Sequence, residues 1–232
     1  MRGRPSPTAS LVAALLAVAL PAVAALPEEG ILTVDRYTSE KGRALAVAHA
    51  GALLELSTGI YHCLPWVEVR KESIGFFKPR HLSADDRYLS IRIYIDQDPS
   101  PGFAKLPLPD RASSMFSRYV GPVLRRMAQS AALQADPAVD GFSIILEWLK
   151  QTGGRGGGRA VNETIAIFID QPTAKDYVAG RIRVQDLAHR VRVLGWDGET
   201  ALGSLRVSGW DDNFVSTFKV KGYVPQQGVS CQ

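Results

Sequence analysis

Between Tyr88 and Asp96 the chain alternates without a break: Leu89, Ile91, Ile93 and Ile95 are apolar, while Ser90, Arg92 and Tyr94 are not. Successive strand side chains point to opposite faces, so this period predicts one face on a core and one turned outward. Such a strand belongs in an antiparallel sheet covered by helices on one side; fully buried parallel strands read as unbroken apolar runs. Phe142 to Leu149 is apolar on nearly both phases, which predicts a central strand covered on both faces. Thr164 to Asp170 supplies a further alternating strand, and residues 165–171 (Ile-Ala-Ile-Phe-Ile-Asp-Gln) match residues 91–97 (Ile-Arg-Ile-Tyr-Ile-Asp-Gln) at five of seven positions. Both copies are expected to end the second strand after a helix, so we read a duplicated helix–strand–strand unit. The competing reading is two ordinary strands of similar composition.

Helical spacing surrounds these strands. Leu45, Ala48, Ala52, Leu53 and Leu56 share a face, with Ser39 placed to cap the start and Gly59 to stop it. Met115, Tyr119, Val123 and Met127 predict a second helix capped by Asp110, with a kink or two short helices at Gly121-Pro122. Leu64 to Arg70 is strand-forming, Ala174 to Ala179 suits a short helix, and Ile182 to Leu194 is ambiguous between the two. Trp196-Asp197-Gly198 and Asp211-Asp212-Asn213 are turn signals, and Phe214 to Val220 alternates as a strand would. The fold expectation is therefore α+β, a mixed but mainly antiparallel sheet with helices on one face. Its two units span about residues 39–97 and 110–171, and a C-terminal β extension covers 172–232. A doubly wound parallel fold is disfavoured, because each second strand follows the first with no helix between.

The first 24 residues read as a secretory signal. Arg2 and Arg4 form a positive start, Leu11 to Leu20 is a run of ten apolar residues, and Ala22-Val23-Ala24 offers small residues for cleavage. A membrane anchor needs roughly 20 apolar residues, so cleavage is expected to leave residues 25–232 as a single soluble domain, periplasmic or secreted. Removing Arg2 and Arg4 from the 27 basic residues leaves 25 against 23 acidic ones, a net charge of about +2. A chain so balanced is a poor candidate for nucleic-acid binding. In an oxidising compartment the two cysteines, Cys63 and Cys231, are most simply read as a disulfide. His62 beside Cys63 is a weak argument for thiol catalysis, since neighbours on a strand face opposite ways.

Few constellations suggest chemistry. The repeated Asp-Gln endings make Asp96 and Asp170 the candidate catalytic pair, because paired carboxylates can divide acid and base roles; equally, each ends a strand and starts a turn before Pro99 or Pro172. His81 with Asp85 and Asp86 is the nearest approach to a metal-ligand cluster, and no Cys-x-x-Cys or helical His pair accompanies it. Gly153 to Gly158 is neither a phosphate loop nor a dinucleotide fingerprint, and reads as a connecting loop. Arg181, Arg183, Arg190 and Arg192 offer a basic patch for an anionic glycan or lipid headgroup, or simply a solvated face. Trp66, Phe76, Phe77, Tyr88 and Tyr94 serve either a core or a ligand pocket. No serine-hydrolase motif occurs, Asn162-Glu163-Thr164 is a chance glycosylation sequon, and no cofactor is implied.

The sequence thus favours a non-catalytic protein that binds a ligand or partner in the cell envelope. An exported hydrolase using acidic residues is the first alternative. The second is a structural or assembly factor whose sheet edge pairs with another chain.

Overall fold

A computed structural model describes residues 26–64, 67–95, 101–151 and 160–211. The signal segment, Trp66, Asp96, the Gly153–Gly158 loop, the predicted strand at Phe214–Val220 and Cys231 lie outside these residues.

Ser39 caps the first helix as its sequence position suggests: its Oγ accepts from Gly42 N at 3.2 Å. The helical stretch then departs from the expected single rod. It divides into α1 (Glu40–Ala48) and α2 (Ala50–Cys63), bent by 71° about His49. It also runs through Gly59, which is a buried interior residue facing the Arg126 side chain and not a stop. The stop comes at Leu64, because Pro65 follows and the residue before a proline is pushed out of the helical region. The bend lets both halves face the core, burying Leu45, Leu53, Leu56 and Ile60. Among the described residues no single helix is long and apolar enough to cross a membrane.

Two short strands, β1 (Val67–Val69) and β2 (Gly75–Phe77), pair antiparallel with opposite ends of β3 (Tyr88–Ile95). A helical crossover follows: α3 (Pro101–Lys105), α4 (Leu108–Met115), a π-helical segment Phe116–Val120, α5 (Gly121–Met127) and α6 (Ala131–Ala135). Pro107, not Asp110, stands at the N-cap of α4, with Asp110 inside the first turn, where its charge favours the positive helix end. The break foreseen at Gly121-Pro122 is the π segment, which ends where Pro122 has no N–H to offer a regular helix.

The crossover delivers β4 (Gly141–Gln151) parallel to β3, with Ile91 opposite Ile144. It continues antiparallel through β5 (Val161–Asp170), with Phe142 opposite Ile169. Next come α7 (Gln171–Val178), α8 (Val184–Arg190), β6 (Arg192–Asp197) and β7 (Thr200–Leu205). The ambiguous stretch at 182–194 is thus a helix followed by a strand. The described residues form one seven-stranded sheet, β1-β3-β4-β5-β6-β7 with β2 beside β3, and the class is α+β with mostly antiparallel pairing. Gly198, at φ +57, makes the tight turn between β6 and β7 that Trp196-Asp197-Gly198 announced. Gly141 starts β4 where the Ile169 carbonyl and the Tyr88 ring leave no room for a Cβ.

One face of the sheet meets the helices. Leu89, Ile91, Ile93 and Ile95 align with Phe142, Ile144, Leu146 and Trp148, then with Ile165, Ile167 and Ile169, all fully buried. The second cover expected over β4 is not a helical layer: Ile145 and Leu149 on the other face are only half-buried. Residues 91–95 and 165–170 of the two matching heptapeptides fall on β3 and β5, which flank β4 and run in opposite directions.

Candidate functional site

The face of the sheet away from the helices is concave and partly roofed by the β2–β3 connection. Its floor is the outward phase of the strands: Ser90, Ser143, Ile145, Ala166, Phe168 and, further along, Trp196. The roof brings Phe77, Lys78, Pro79, Arg80 and His81 over it. Two cavities result, of about 300 Å³ and about 650 Å³. They share Arg80, Arg92, Ile145 and Phe168, so they form one continuous recess. Small-molecule sites are typically of this size, mostly apolar with a few placed polar groups.

The recess is aromatic and cationic. Phe77, Tyr88, Phe168 and Trp196 form its walls, and the His81 ring stands edge-on to Phe168 with centroids 4.6 Å apart. Lys78, Arg80 and Arg92 line it, and among the described residues no aspartate or glutamate does. Lys78 Nζ is held by the Ser83 carbonyl at 2.9 Å. Arg80 is exposed and makes no ion pair within the described chain. Arg92 reaches back to Glu147, with Nε at 3.1 Å and Nη2 at 2.9 Å from Oε2. Arg70 meets the other oxygen of Glu147 at 3.3 Å and lies over the Tyr94 ring, while Asn162 also donates to Glu147. Arg70 also pairs with Glu68 at 3.5 Å, so two guanidinium groups and two carboxylates balance at that corner. Burial is the largest single influence on Glu147 and pushes its pKa up; Arg70 and Arg92 outweigh it and hold the carboxyl below its ordinary range.

His81 is pushed the other way. Burial first, and then the nearby Arg192, lower its pKa, so the ring is held toward the neutral form. Tyr88 is raised by burial and by the carboxylates of Asp170, Asp86 and Asp140 at its end of the strand. Ser90 and Ser143 sit opposite each other in the β3–β4 register, and both line the floor of the recess.

The residues singled out from sequence are distributed differently. Asp170 caps α7, its Oδ1 accepting from Thr173 N at 2.7 Å, and Gln171 ties the same turn to the Gln134 and Asp136 carbonyls. Asp96 lies outside the described residues; its neighbour Ile95 pairs with Trp148, whereas Asp170 pairs with Gly141 at the opposite end of β4. Seven residues of strand separate those positions, roughly 23 Å at 3.3 Å per residue. His81, Asp85 and Asp86 do not converge either. His81 turns to Phe168, Asp85 pairs with Arg87, and no three His, Cys, Asp or Glu among the described residues could hold a metal ion.

Of the arginine patch, Arg181 and Arg190 pair with Asp176, and Arg183 leads into α8. Arg192 stands apart on the open face beside His81. Among the aromatic candidates, Phe76 belongs to the core, Tyr94 lies beneath Arg70, and Phe77 and Tyr88 line the recess. Cys63 is buried at the last position of α2.

Sequence reasoning missed Arg80, Phe168 and Trp196. The available signal was aromatic residues on the outward phase of strands, where an alternating pattern calls for polar ones. Comparison with family models, with curated proteins and with solved structures yields no match to this chain.

Proposed function

We propose that the chain is an exported, non-catalytic binding protein of the cell envelope, and that its ligand lies in the recess on the open face of the sheet. The observation that carries this reading is the aromatic recess lined by Lys78, Arg80 and Arg92 and, among the described residues, by no carboxylate. Hydrolysis by a carboxylate pair gains no support from Asp170, whose side chain is engaged in capping a helix. The export part rests on Arg2, Arg4, the apolar run Leu11–Leu20 and Ala22-Val23-Ala24.

The purified chain is to be titrated with ten-carbon amphiphiles of each charge type: decanoate, decanamide and decyltrimethylammonium. Amide and methyl NMR shifts report the site. Shifts gathered at Ile145, Phe168 and Trp196 for any of the three support a binding recess. No saturable shift there from any of them refutes it. N-terminal sequencing of chain recovered from the culture medium or periplasm is expected to begin at Ala25. An intact Met1, or a chain retained in the cytoplasm, overturns the export reading.

A further inference from the structure

The recess has a charge asymmetry that narrows its ligand, provided the binding reading above holds. Arg80 sits where the two cavities meet, exposed, with no carboxylate in contact. Arg92 stands at the same junction, exposed and paired with Glu147 from one side. Ser90 and Ser143 lie side by side on the floor and line the recess. A hydroxyl that lines a recess can both donate to and accept from a ligand. On either side of this polar centre the surface is apolar: Phe77, Tyr88 and Pro79 toward one end, Leu194 and Trp196 toward the other, with Phe168 between.

We infer that the recess takes an anionic amphiphile, its acid group held between Arg80 and Arg92 near the paired serine hydroxyls and its apolar body laid along Phe168. A guanidinium presents a planar fork of donors that fits a carboxylate in a two-point contact, and such charge-assisted bonds are the strong ones. A neutral molecule of the same shape fills the apolar wings but leaves the Arg80 guanidinium bonded to water alone. A cation meets Lys78, Arg80 and Arg92, with no carboxylate among the described residues of the wall to receive it.

The test compares the same three ten-carbon probes by calorimetry on the purified chain, with Arg80→Gln and Ala166→Trp as variants. Arg80 is exposed and outside every ion pair of the described chain, so Arg80→Gln is expected to leave the melting temperature unchanged. Decanoate is expected to bind at least tenfold tighter than decanamide and decyltrimethylammonium to bind weakest, with the tenfold preference lost in Arg80→Gln. Ala166→Trp, which fills the floor beside Phe168, is expected to abolish binding of all three; if it leaves the fold unstable, Thr164→Trp at the rim of the same floor serves instead. Equal affinity for decanoate and decanamide overturns the anionic assignment and leaves the binding reading standing. A preference for the cationic probe, or an Arg80→Gln variant that keeps the full decanoate preference, overturns it as well. Failure of all three probes to bind refutes the binding reading itself.

Discussion

Glu163 is fully buried on the helix-facing side of β5, and its removal is the sharpest test of what holds this fold together. Its carboxylate is saturated. Arg111 Nε donates to Oε2 at 2.7 Å, Arg111 Nη2 donates to Oε1, and Trp148 Nε1 donates to Oε2 at 2.9 Å. Lys150 stands 4.0 Å from Oε1 and is itself paired with Asp197 at 2.6 Å. Arg111 also donates to the Leu106 and Ala104 carbonyls, so one guanidinium fastens the start of the crossover to the middle of the sheet.

Glu163→Ala leaves a buried guanidinium without its counter-charge and an indole N–H without its acceptor. Breaking a buried pair from one side costs about 3–5 kcal/mol. For a chain of this size each kcal/mol moves the melting temperature by about 2–4 °C, so the loss is roughly 6–20 °C. Glu163→Gln keeps an acceptor for one donor and is expected to fall between wild type and alanine. The double variant Arg111→Met, Glu163→Leu removes both charges and is expected to recover a good part of the alanine loss, because apolar replacement of a whole buried pair is often close to neutral. Thermal unfolding at pH 7, followed by circular dichroism and tryptophan fluorescence, reads all three. A Glu163→Ala shift smaller than about 2 °C, or a double variant no more stable than Glu163→Ala, refutes the reasoning.

Glu147 gives the pH counterpart. Its folded pKa lies below the ordinary glutamate value, so its contribution is complete above about pH 4.3, the unfolded value, and disappears as pH falls through the lower folded one. Glu147→Gln is expected to be less stable than wild type at pH 7 and to lose less between pH 5 and pH 3; parallel urea-midpoint curves would contradict this. The segment after β7 is strapped to the crossover helix by two serines, Ser113 Oγ accepting from Ser208 N at 2.9 Å and Ser117 Oγ from Trp210 N at 3.1 Å. Ser113→Ala and Ser117→Ala are each expected to cost about 1 kcal/mol and to speed hydrogen exchange at the Ser208 and Trp210 amides, whereas unchanged exchange would show that other contacts hold the strap. We also propose the bridge between Cys63 and Cys231, which would close a loop worth on the order of 5 kcal/mol in the chain-entropy model; alkylation of the native exported chain that labels both thiols without reductant rules it out.

What was legible in the sequence was whatever depends on neighbours along the chain. The two-residue period of Leu89, Ile91, Ile93 and Ile95 set the buried face of β3, and Ser39 capped its helix, because both need only local spacing. Strand direction was not local: the likeness of residues 91–97 and 165–171 placed two strands but could not say that β3 would lie parallel to β4 while β5 ran against it. Residues 101–135 decide that, by forming a crossover long enough to return the chain to the same end of the sheet. Asn162-Glu163-Thr164 drew notice only as a sequon, yet Glu163 is in phase with Ile165, Ile167 and Ile169. An acid on the apolar phase of a strand announces a buried partner, and only its identity, Arg111, had to come from the fold.

The recess follows the converse logic. Tyr88, Ile145, Phe168 and Trp196 all stand on the phase that faces away from the helices, where a sheet covered on one side has no need of large apolar groups. On four adjacent strands that misplacement recurs on the same face, which core packing does not require, since the core is already filled by the opposite phase. Leaving such a face half-exposed forfeits burial that a second layer would gain. Arg80 and His81 come to that face from a loop with no period of its own, so nothing in their spacing could assign them there. Aromatic walls visible strand by strand, and a cationic roof visible only after folding, are what we propose as the binding site.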